Sequence, residues 1–319
     1  MSKNKVYEVF DIVNDTCVPY DQFRNQNYVI IIHLKSFGFF KLLIKSLIMN
    51  PVIHTHHVKS LVLLNLFLAK GKRKYRYHTI HAPYENYGRC YKYIVEKLNK
   101  NNVIFNSEFT KASFLKKNYS YIESKVVHNG VNMDKLKKYR FDNRLPIGLG
   151  EKTILLCGRD VKVKNLKYTL DALMKMNKLL QKKIKVFIVS HLEENKDHRF
   201  FDEFLGSYEV KSYCQQTELW WLASKVNLII SMSRYEGYGN FQVECSMLNN
   251  NLLLSNIPTH KHFFSSRVFV TLDNLGQYCS ILVGALEGSI QLNTKLLNSA
   301  IHDRNYCMKL YEGILNCPS

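Results

Sequence analysis

The sequence predicts an α/β protein made of two halves, each a parallel sheet covered by helices. Three observations carry that expectation. Short apolar runs rich in Val and Ile alternate with longer stretches of helical period, the pattern of strand–helix–strand units whose strands are buried on both faces. Two such series follow one another, and between them Asn143, Pro146, Gly148 and Gly150 break all periodicity. At 319 residues the chain is long enough for two domains of ordinary size.

In the first series, strands are expected at Val6–Ile12, Val29–Leu34, Val52–His56, Tyr75–His81, Val103–Asn106 and Lys125–Val127, with helices near 38–49, 58–69, 86–100 and 108–118. The second series has strands at Thr153–Cys157, Ile184–Val189, Val226–Met232 and Leu252–Ser255, and helices near 165–182, 215–224, 239–249 and 275–287. The segment from Asp142 to Lys152 is expected to be the linker. Its Gly148-Leu149-Gly150-Glu151-Lys152-Thr153 lacks the spacing of a phosphate loop and precedes a strand instead of following one. From 293 onward, Ile301, Met308, Leu310, Ile314 and Leu315 recur at helical spacing and predict closing helices. The domains are therefore expected at 1–145, 146–292 and 293–319.

Composition narrows the function classes. A 46% hydrophobic and 22% charged chain with 14 Gly and 6 Pro is globular, neither disordered nor of low complexity. The eight cysteines include no Cys-x-x-Cys pair and several sit in apolar runs, which fits a reducing compartment. The opening residues MSKNKVYEVFDIVND carry no apolar leader, and no apolar run approaches the roughly 20 residues that span a bilayer. The expected location is the cytoplasm. Net charge is +19, and it is uneven: residues 1–150 hold 25 Lys and Arg against 10 Asp and Glu, while residues 151–319 hold 20 against 16. A field of that sign attracts phosphates of a nucleic acid, an anionic lipid or a phosphorylated glycan.

The candidate site lies in the second half. The strand ending at Cys157 runs into Gly158-Arg159, and Lys164 stands just before the apolar positions Leu166, Leu170, Leu173 and Met174 of a helix. Ligands of open α/β sheets bind beyond the carboxyl ends of strands, where helix N-termini also point. Gly158 lets the backbone approach an anion, Arg159 can fork onto phosphate oxygens and Lys164 adds a point charge. The strand Val226–Met232 is followed by Ser233-Arg234-Tyr235-Glu236-Gly237-Tyr238-Gly239-Asn240-Phe241-Gln242-Val243-Glu244, with a helix expected to begin near Gly239. The amides of such a helix start form a phosphate cradle. Glu236 before the helix and Glu244 about one turn inside it can face one cleft and accept from sugar hydroxyls. The plainer reading makes Glu236 a helix cap and Glu244 a surface residue.

Taken in order, Gly158-Arg159-x4-Lys164, Ser233-x2-Glu236-Gly237-Tyr238-Gly239-x4-Glu244 and Ser255-Asn256-Ile257-Pro258-Thr259-His260 resemble the donor half of glycosyltransferase family 4, the retaining glycosyl transferases group 1. The match covers about residues 100–265 and includes Asn106-Ser107-Glu108-Phe109-Thr110 and Val126-Val127-His128-Asn129-Gly130-Val131. The resemblance implies the GT-B fold, two Rossmann-like domains facing a cleft. It implies that Arg159 and Lys164 neutralise a donor diphosphate, assisted by amides near Gly239–Phe241, that Glu236 holds hydroxyls of the transferred sugar, and that Glu244 holds the ribose. Fixed cations and a helix start stabilise the negative charge that develops on the leaving diphosphate. In such retaining enzymes the leaving phosphate takes the acceptor proton itself, so no carboxylate base is demanded. No Asp-x-Asp pair occurs, so no metal ion and no cofactor are expected beyond a UDP- or GDP-linked sugar as donor substrate.

The first half departs from the family pattern. His78-Thr79-Ile80-His81-Ala82-Pro83 follows a strand, and His81 matches the position where the family often places a histidine against the donor sugar. The usual Gly-Gly loop after the first strand is missing, so the N-terminal domain is expected to be shortened or remodelled, and no acceptor-loop residue is carried over. His54-Thr55-His56-His57 suggests a metal cluster, but alternation along a strand is expected to point these side chains to different faces. Phe37-Gly38-Phe39-Phe40-Lys41-Leu42-Leu43-Ile44-Lys45 and the basic run from Lys70 to Arg76 place cations beside apolar helices, a composition suited to an anionic membrane surface. The expected activity is hexosyl transfer to a glycan or lipid-linked acceptor of the cell envelope. The alternatives are a catalytically silent sugar-nucleotide-binding partner and a basic nucleic-acid-binding protein. No reader motif supports the last, and it leaves Glu236 and Glu244 unexplained.

Overall fold

The computed structural model describes residues 6–10, 23, 29–33, 35–48, 51–67, 76–98, 100–140, 152–157, 162–176, 184–189, 216–249 and 251–316. Contacts divide the chain into two units, Met1–Val131 with Ser299–Ser319, and Asn132–Asn298.

The first unit holds the strands β1 (Val6–Phe10), β2 (Val29–His33), β3 (Val52–Thr55), β4 (Arg76–Ile80), β5 (Val103–Phe105) and β6 (Lys125–Val126). They form one sheet in the order β2-β1-β3-β4-β5-β6, and every neighbouring pair is parallel. Helices α1 (Phe37–Ile48), α2 (Val58–Phe67), α3 (Arg89–Glu96) and α4 (Glu108–Leu115) connect successive strands, as parallel pairing requires. The chain runs from β1 outward to β2 and then returns past β1 to β3, so the topological switch lies between β1 and β3. On one side Val6, Phe10, Val52 and Tyr77 are buried with Cys307, Tyr311 and Leu315 of the terminal helix; on the other, Val9, Ile32 and Ile53 pack with Phe39 and Leu42 of α1. Near the far edge, Phe105, Phe114 and Tyr121 meet edge to face.

The second unit holds α5 (Met133–Arg140), β7 (Lys152–Cys157), α6 (Leu166–Met174), β8 (Ile184–Val189), α7 (Gln216–Lys225), β9 (Leu228–Ser231), α8 (Asn240–Leu248), β10 (Leu252–Ser255), α9 (Pro258–Phe263), β11 (Phe264–Ser265), β12 (Phe269–Val270), α10 (Leu275–Glu287) and β13 (Lys295–Leu296). Its main sheet has the order β12-β10-β9-β7-β8, again with parallel neighbours, and β11 pairs antiparallel with β13. Here the switch lies between β7 and β9. Ile154, Leu156, Ile188, Leu228 and Ile230 fill the core beneath α6 and α10.

Most expected elements stand where the sequence places them, with trimmed ends. The strand expected from Val226 begins at Leu228, because Asn227 is occupied: its side chain accepts from the Thr153 amide at 2.8 Å and its own amide donates to Thr153 Oγ1 at 3.0 Å. Helices α5 and α9 and the short strands β11, β12 and β13 were not expected. The start of α5 carries a readable signal, since the Asn132 side chain accepts from the Lys135 amide at 3.0 Å as a cap does. The terminal helix α11 (Arg304–Asn316) returns to the first unit. The expected linker, the continuation of the first strand to Ile12, residues 177–182 of the α6 region and the basic run at 70–75 lie outside the described residues.

The return of α11 depends on Gly130. The Val131 amide donates to the His302 carbonyl at 2.8 Å, and the Arg304 amide donates to the Val131 carbonyl at 3.0 Å. A Cβ on Gly130 would stand 2.7 Å from Arg304 Cα, a backbone atom that cannot rotate away. Gly130→Ala is therefore expected to push α11 off the sheet and to cost about 1–3 kcal/mol, read as an earlier urea midpoint. An unchanged midpoint would show that this approach constrains nothing.

Candidate functional site

The switch point between β7 and β9 is where two loops with unlike duties meet. The loop after β7 delivers Lys164, and Asn165 beside it adopts a left-handed φ of 54° while its side chain donates to the Met232 carbonyl at 3.2 Å. Asn is among the few residues that tolerate this region. The loop after β9 delivers Ser233 and Glu236 and ends at Gly239, whose φ of 85° turns the chain into α8. Gly239 is the N-cap of α8 and contributes no side-chain cap. A Cβ there would lie 2.9 Å from Gln242 Oε1.

Glu236 is nearly buried and its Oε1 collects three donors: Lys164 Nζ at 2.6 Å, Ser233 Oγ at 2.7 Å and Gln242 Nε2 at 3.0 Å. Among the described residues no donor bonds Oε2, so that oxygen is the one placed to accept from a ligand. Burial pushes the Glu236 carboxyl upward, but the Lys164 cation, the Ser233 hydroxyl and His260 outweigh it and hold it below its usual value. The backbone is secured as well. Thr259 Oγ1 donates to the Glu236 carbonyl at 2.7 Å, and Ser255 Oγ donates to the Ser233 carbonyl at 2.6 Å. His260 is buried and pushed down to about 4 by that burial; being neutral, it can direct Nδ1–H to the Ser255 carbonyl at 2.9 Å. The Ser-Asn-Ile-Pro-Thr-His segment thus braces the Glu236 loop from behind.

The remaining expected site residues fall as follows. Gly237, Tyr238 and Gly239 form the turn before α8, and Tyr238 is buried with its ring edge-on to Phe263 at 5.2 Å. Asn240 and Phe241 open α8. Glu244 is not on the surface: it is buried on α8, and its Oε2 accepts from Trp220 Nε1 of α7 at 2.8 Å. Lys135 of α5 stands 4.9 Å from the Trp220 ring. Gly158 and Arg159 lie outside the described residues. Gln242 and Trp220 were missed as site residues, and Ser233 and Thr259 entered only as positions of the ordered motifs.

The fourth expected catalytic residue, His81, belongs to the first unit. It follows β4, and its amide and that of Ala82 donate to Tyr87 Oη at 3.3 and 3.0 Å. Its Nε2 lies 3.2 Å from His56 Nδ1. The expected divergence of the His54–His57 side chains is corrected here. His54 and His56 are two residues apart and share a face, with His54 Nδ1 3.0 Å from Glu8 Oε1 and His56 Nε2 3.1 Å from Glu8 Oε2. Glu8, on β1, was not a sequence candidate, though an acidic residue inside Val-Tyr-Glu-Val-Phe is itself a signal. Burial, with His57, His78 and His54 nearby, lowers His81 to about 3. It also lowers His54 to about 3 and His56 well below its usual value, and raises Glu8. The ligand-type atoms of Glu8, His54 and His56 lie within 4.8 Å of one another, near enough to share an ion; in this structure they are bonded to each other instead.

On α1, Phe37, Phe40 and Ile44 are 69%, 56% and 46% exposed and lie along one face, with Lys41 over the Phe37 ring at 5.0 Å. Among the described residues, no helix is long and apolar enough to cross a membrane.

No protein-family model matches the sequence, and no curated protein matches it. Solved structures do. The HepE protein of Anabaena, in complex with UDP and glucose, is similar over 98% of this chain and 100% of that one, with a TM-score of 0.68 at 13% identity. An α,α-trehalose 6-phosphate synthase from Burkholderia multivorans is similar over 99% and 98%, with a TM-score of 0.69 at 11% identity. The likeness establishes the fold, two Rossmann-like α/β units with parallel sheets as in the GT-B neighbours.

The Lys164–Glu236 pair gives a direct test. Because the carboxyl is lowered in the folded state, its stabilising effect is fully present above the ordinary value of 4.5 and is lost as pH falls through the lower folded value. Lys164→Met leaves a buried carboxylate without its cation and is expected to cost about 3 kcal/mol at pH 7, most of it recovered in Lys164→Met/Glu236→Gln. Urea unfolding measures both. The difference between wild type and Glu236→Gln should shrink below pH 4.5, and a difference constant down to pH 2 would refute the pairing.

Proposed function

We propose that this chain is a retaining glycosyltransferase of the family 4 type, moving a hexose-type sugar from a UDP- or GDP-linked donor to a glycan or lipid-linked acceptor. The observation that carries the reading is the Lys164–Glu236 pair at the β7/β9 switch point, beside the start of α8. A diphosphate needs fixed positive charge. Lys164 and the first-turn amides of α8 supply it, with Arg159 as the forked partner from the same loop. A sugar needs acceptors for its hydroxyls, and Glu236 is a carboxylate whose bonds among the described residues all go to one oxygen. Glu244 is the candidate for the ribose. The Anabaena neighbour, whose structure holds UDP and glucose, supports a nucleotide-sugar donor.

In the proposed reaction the bond from the sugar's anomeric carbon to the diphosphate oxygen breaks as the bond to the acceptor oxygen forms on the same face. The acceptor proton passes to the departing phosphate oxygen. Lys164, Arg159 and the helix start stabilise the charge that grows on that diphosphate, so the site itself supplies the electrostatic role a metal would fill elsewhere. Neutral His81 is the residue proposed against the transferred sugar. The outward row Phe37, Phe40 and Ile44 with Lys41 supports a place at the cytoplasmic face of an anionic membrane, where a lipid-linked acceptor of surface polysaccharide synthesis would be reached.

Calorimetric titration with UDP-, GDP- and ADP-sugars should give binding to one nucleotide class and none in Lys164→Ala. Arg159→Ala and Glu236→Ala should each lower transfer roughly 100-fold or more. Transfer that survives in both variants would sink the assigned site, and donor binding without turnover on any acceptor would leave a silent sugar-nucleotide binder.

A further inference from the structure

Glu8, a third buried carboxylate beside Glu236 and Glu244, is not accounted for by donor binding. No Lys or Arg pairs with it among the described residues; its two oxygens face two imidazoles. A carboxylate only accepts, so the nitrogens that face it carry the protons: His54 Nδ1–H donates to Oε1 at 3.0 Å and His56 Nε2–H donates to Oε2 at 3.1 Å. An uncharged imidazole has one proton. His56 Nδ1 is therefore bare and accepts, and the group 3.2 Å away is His81 Nε2, which must be the donor. The single proton of His81 is then on Nε2, and its Nδ1 is the accepting nitrogen.

The other branch has the same polarity. His54 Nε2 accepts from Thr79 Oγ1 at 2.8 Å, and Thr79 Oγ1 accepts in turn from Tyr311 Oη of α11 at 3.3 Å. Both branches point toward Glu8, and every ring nitrogen of His54 and His56 is used. Phe10 stacks on His56 at 4.9 Å with planes 5° apart, and Phe23 meets His54 edge-on at 5.7 Å. The rings can neither turn over nor meet water without displacing these neighbours. His81 is the exception, being only partly buried, at the end of β4. It is the member of the chain a ligand can reach.

We propose that Glu8 is a positioning residue that acts through His56 to fix His81 as its Nε2–H tautomer, so that Nδ1 of His81 accepts a hydrogen bond from a substrate hydroxyl. The hydroxyl rests on the transferase reading above; the tautomer does not. The proposal separates Glu8 from Glu236. One carboxylate touches substrate in the proposed reaction, while the other sets the proton pattern of a group that does.

The test begins with nitrogen-15 imidazole correlation spectra of the full-length protein at pH 7, assigned with single histidine substitutions. The proposal expects His56 and His81 both in the Nε2–H form. Glu8→Gln, whose amide nitrogen can donate toward His56, should move both rings toward the Nδ1–H form, and Glu8→Leu should remove the preference. With activity as the readout, Glu8→Gln should lower kcat about tenfold, the worth of one hydrogen bond, while donor KM stays within about twofold; Glu8→Asp, which keeps the charge, should restore part of it. A wild-type spectrum with His81 in the Nδ1–H form overturns the proposal, and so does stoichiometric zinc in the purified protein, which would replace the protons of the chain. An inverted tautomer with unchanged kcat overturns its functional half. The wild-type spectrum decides even if the Glu8 variants do not fold. If that spectrum is as expected but no sugar is transferred by the wild type, the tautomer stands and the transferase reading falls.

Discussion

A carboxylate removed from water must be satisfied by neighbours, and Glu236 imposes that demand on much of the second unit. Its donors come from three places: Lys164 from the loop after β7, Ser233 from the loop after β9, and Gln242 from the first turn of α8. Each must reach one oxygen, which fixes the separation of β7 and β9 loops and the direction in which α8 leaves. The unusual backbone follows from the same demand. Asn165 takes a left-handed conformation next to Lys164, and Gly239 takes one next to Gln242. A chain that placed Glu236 in solvent would need neither, since an exposed ion pair contributes little and constrains little.

The same topology produces a similar problem in the first unit and solves it differently. Two of the buried carboxylates sit at the switch point of their sheet, Glu236 beyond β9 and Glu8 on β1 opposite His54 of β3 in register. Glu236 is balanced by a cation, and among the described residues its three donors share one oxygen. Glu8 is surrounded by uncharged imidazoles, and both its oxygens are used. The first arrangement is the one proposed to meet a donor. The second has nothing left to offer a ligand directly, and its influence passes outward through His56.

How much of this was legible depends on whether the signal was local. Alternating apolar runs gave both sheets and nearly all helices, because strands buried on two faces must be continuous in Val, Ile and Leu. The Lys164, Glu236 and Gly239 positions were readable as an ordered set, since strand ends and helix starts can be placed from periodicity. Contacts between distant residues were not. Glu244 was readable as a helix position, but its bond to Trp220 depends on how α7 packs on α8. The tripling of donors on one Glu236 oxygen needs side-chain directions that no pattern of residue types encodes. His54 and His56 were misjudged by treating four histidine-region residues as alternating singly, although residues two apart on a strand share a face. Pairing of β1 beside β3 then put Glu8 under both, a long-range fact.

The uneven charge can be placed more closely as a result. The excess of cations in residues 1–150 is large, 25 against 10, and the obvious expectation is an anion site at the switch point of that half. The structure puts a carboxylate and uncharged histidines there instead, an environment that disfavours phosphate. Of the described cations, Lys41 lies over Phe37, beside Phe40 and Ile44 on the outward face of α1, while Arg76 is buried on β4. In the second half the balance is nearly even, yet that is where a single lysine meets a helix start at a strand end. Net charge therefore reports on the surface of one unit and says little about where the diphosphate would be held. Placement bears on that more than number: Lys164 is fixed within 2.6 Å of Glu236 at a strand end, whereas the fields of solvated lysines are screened over about 10 Å.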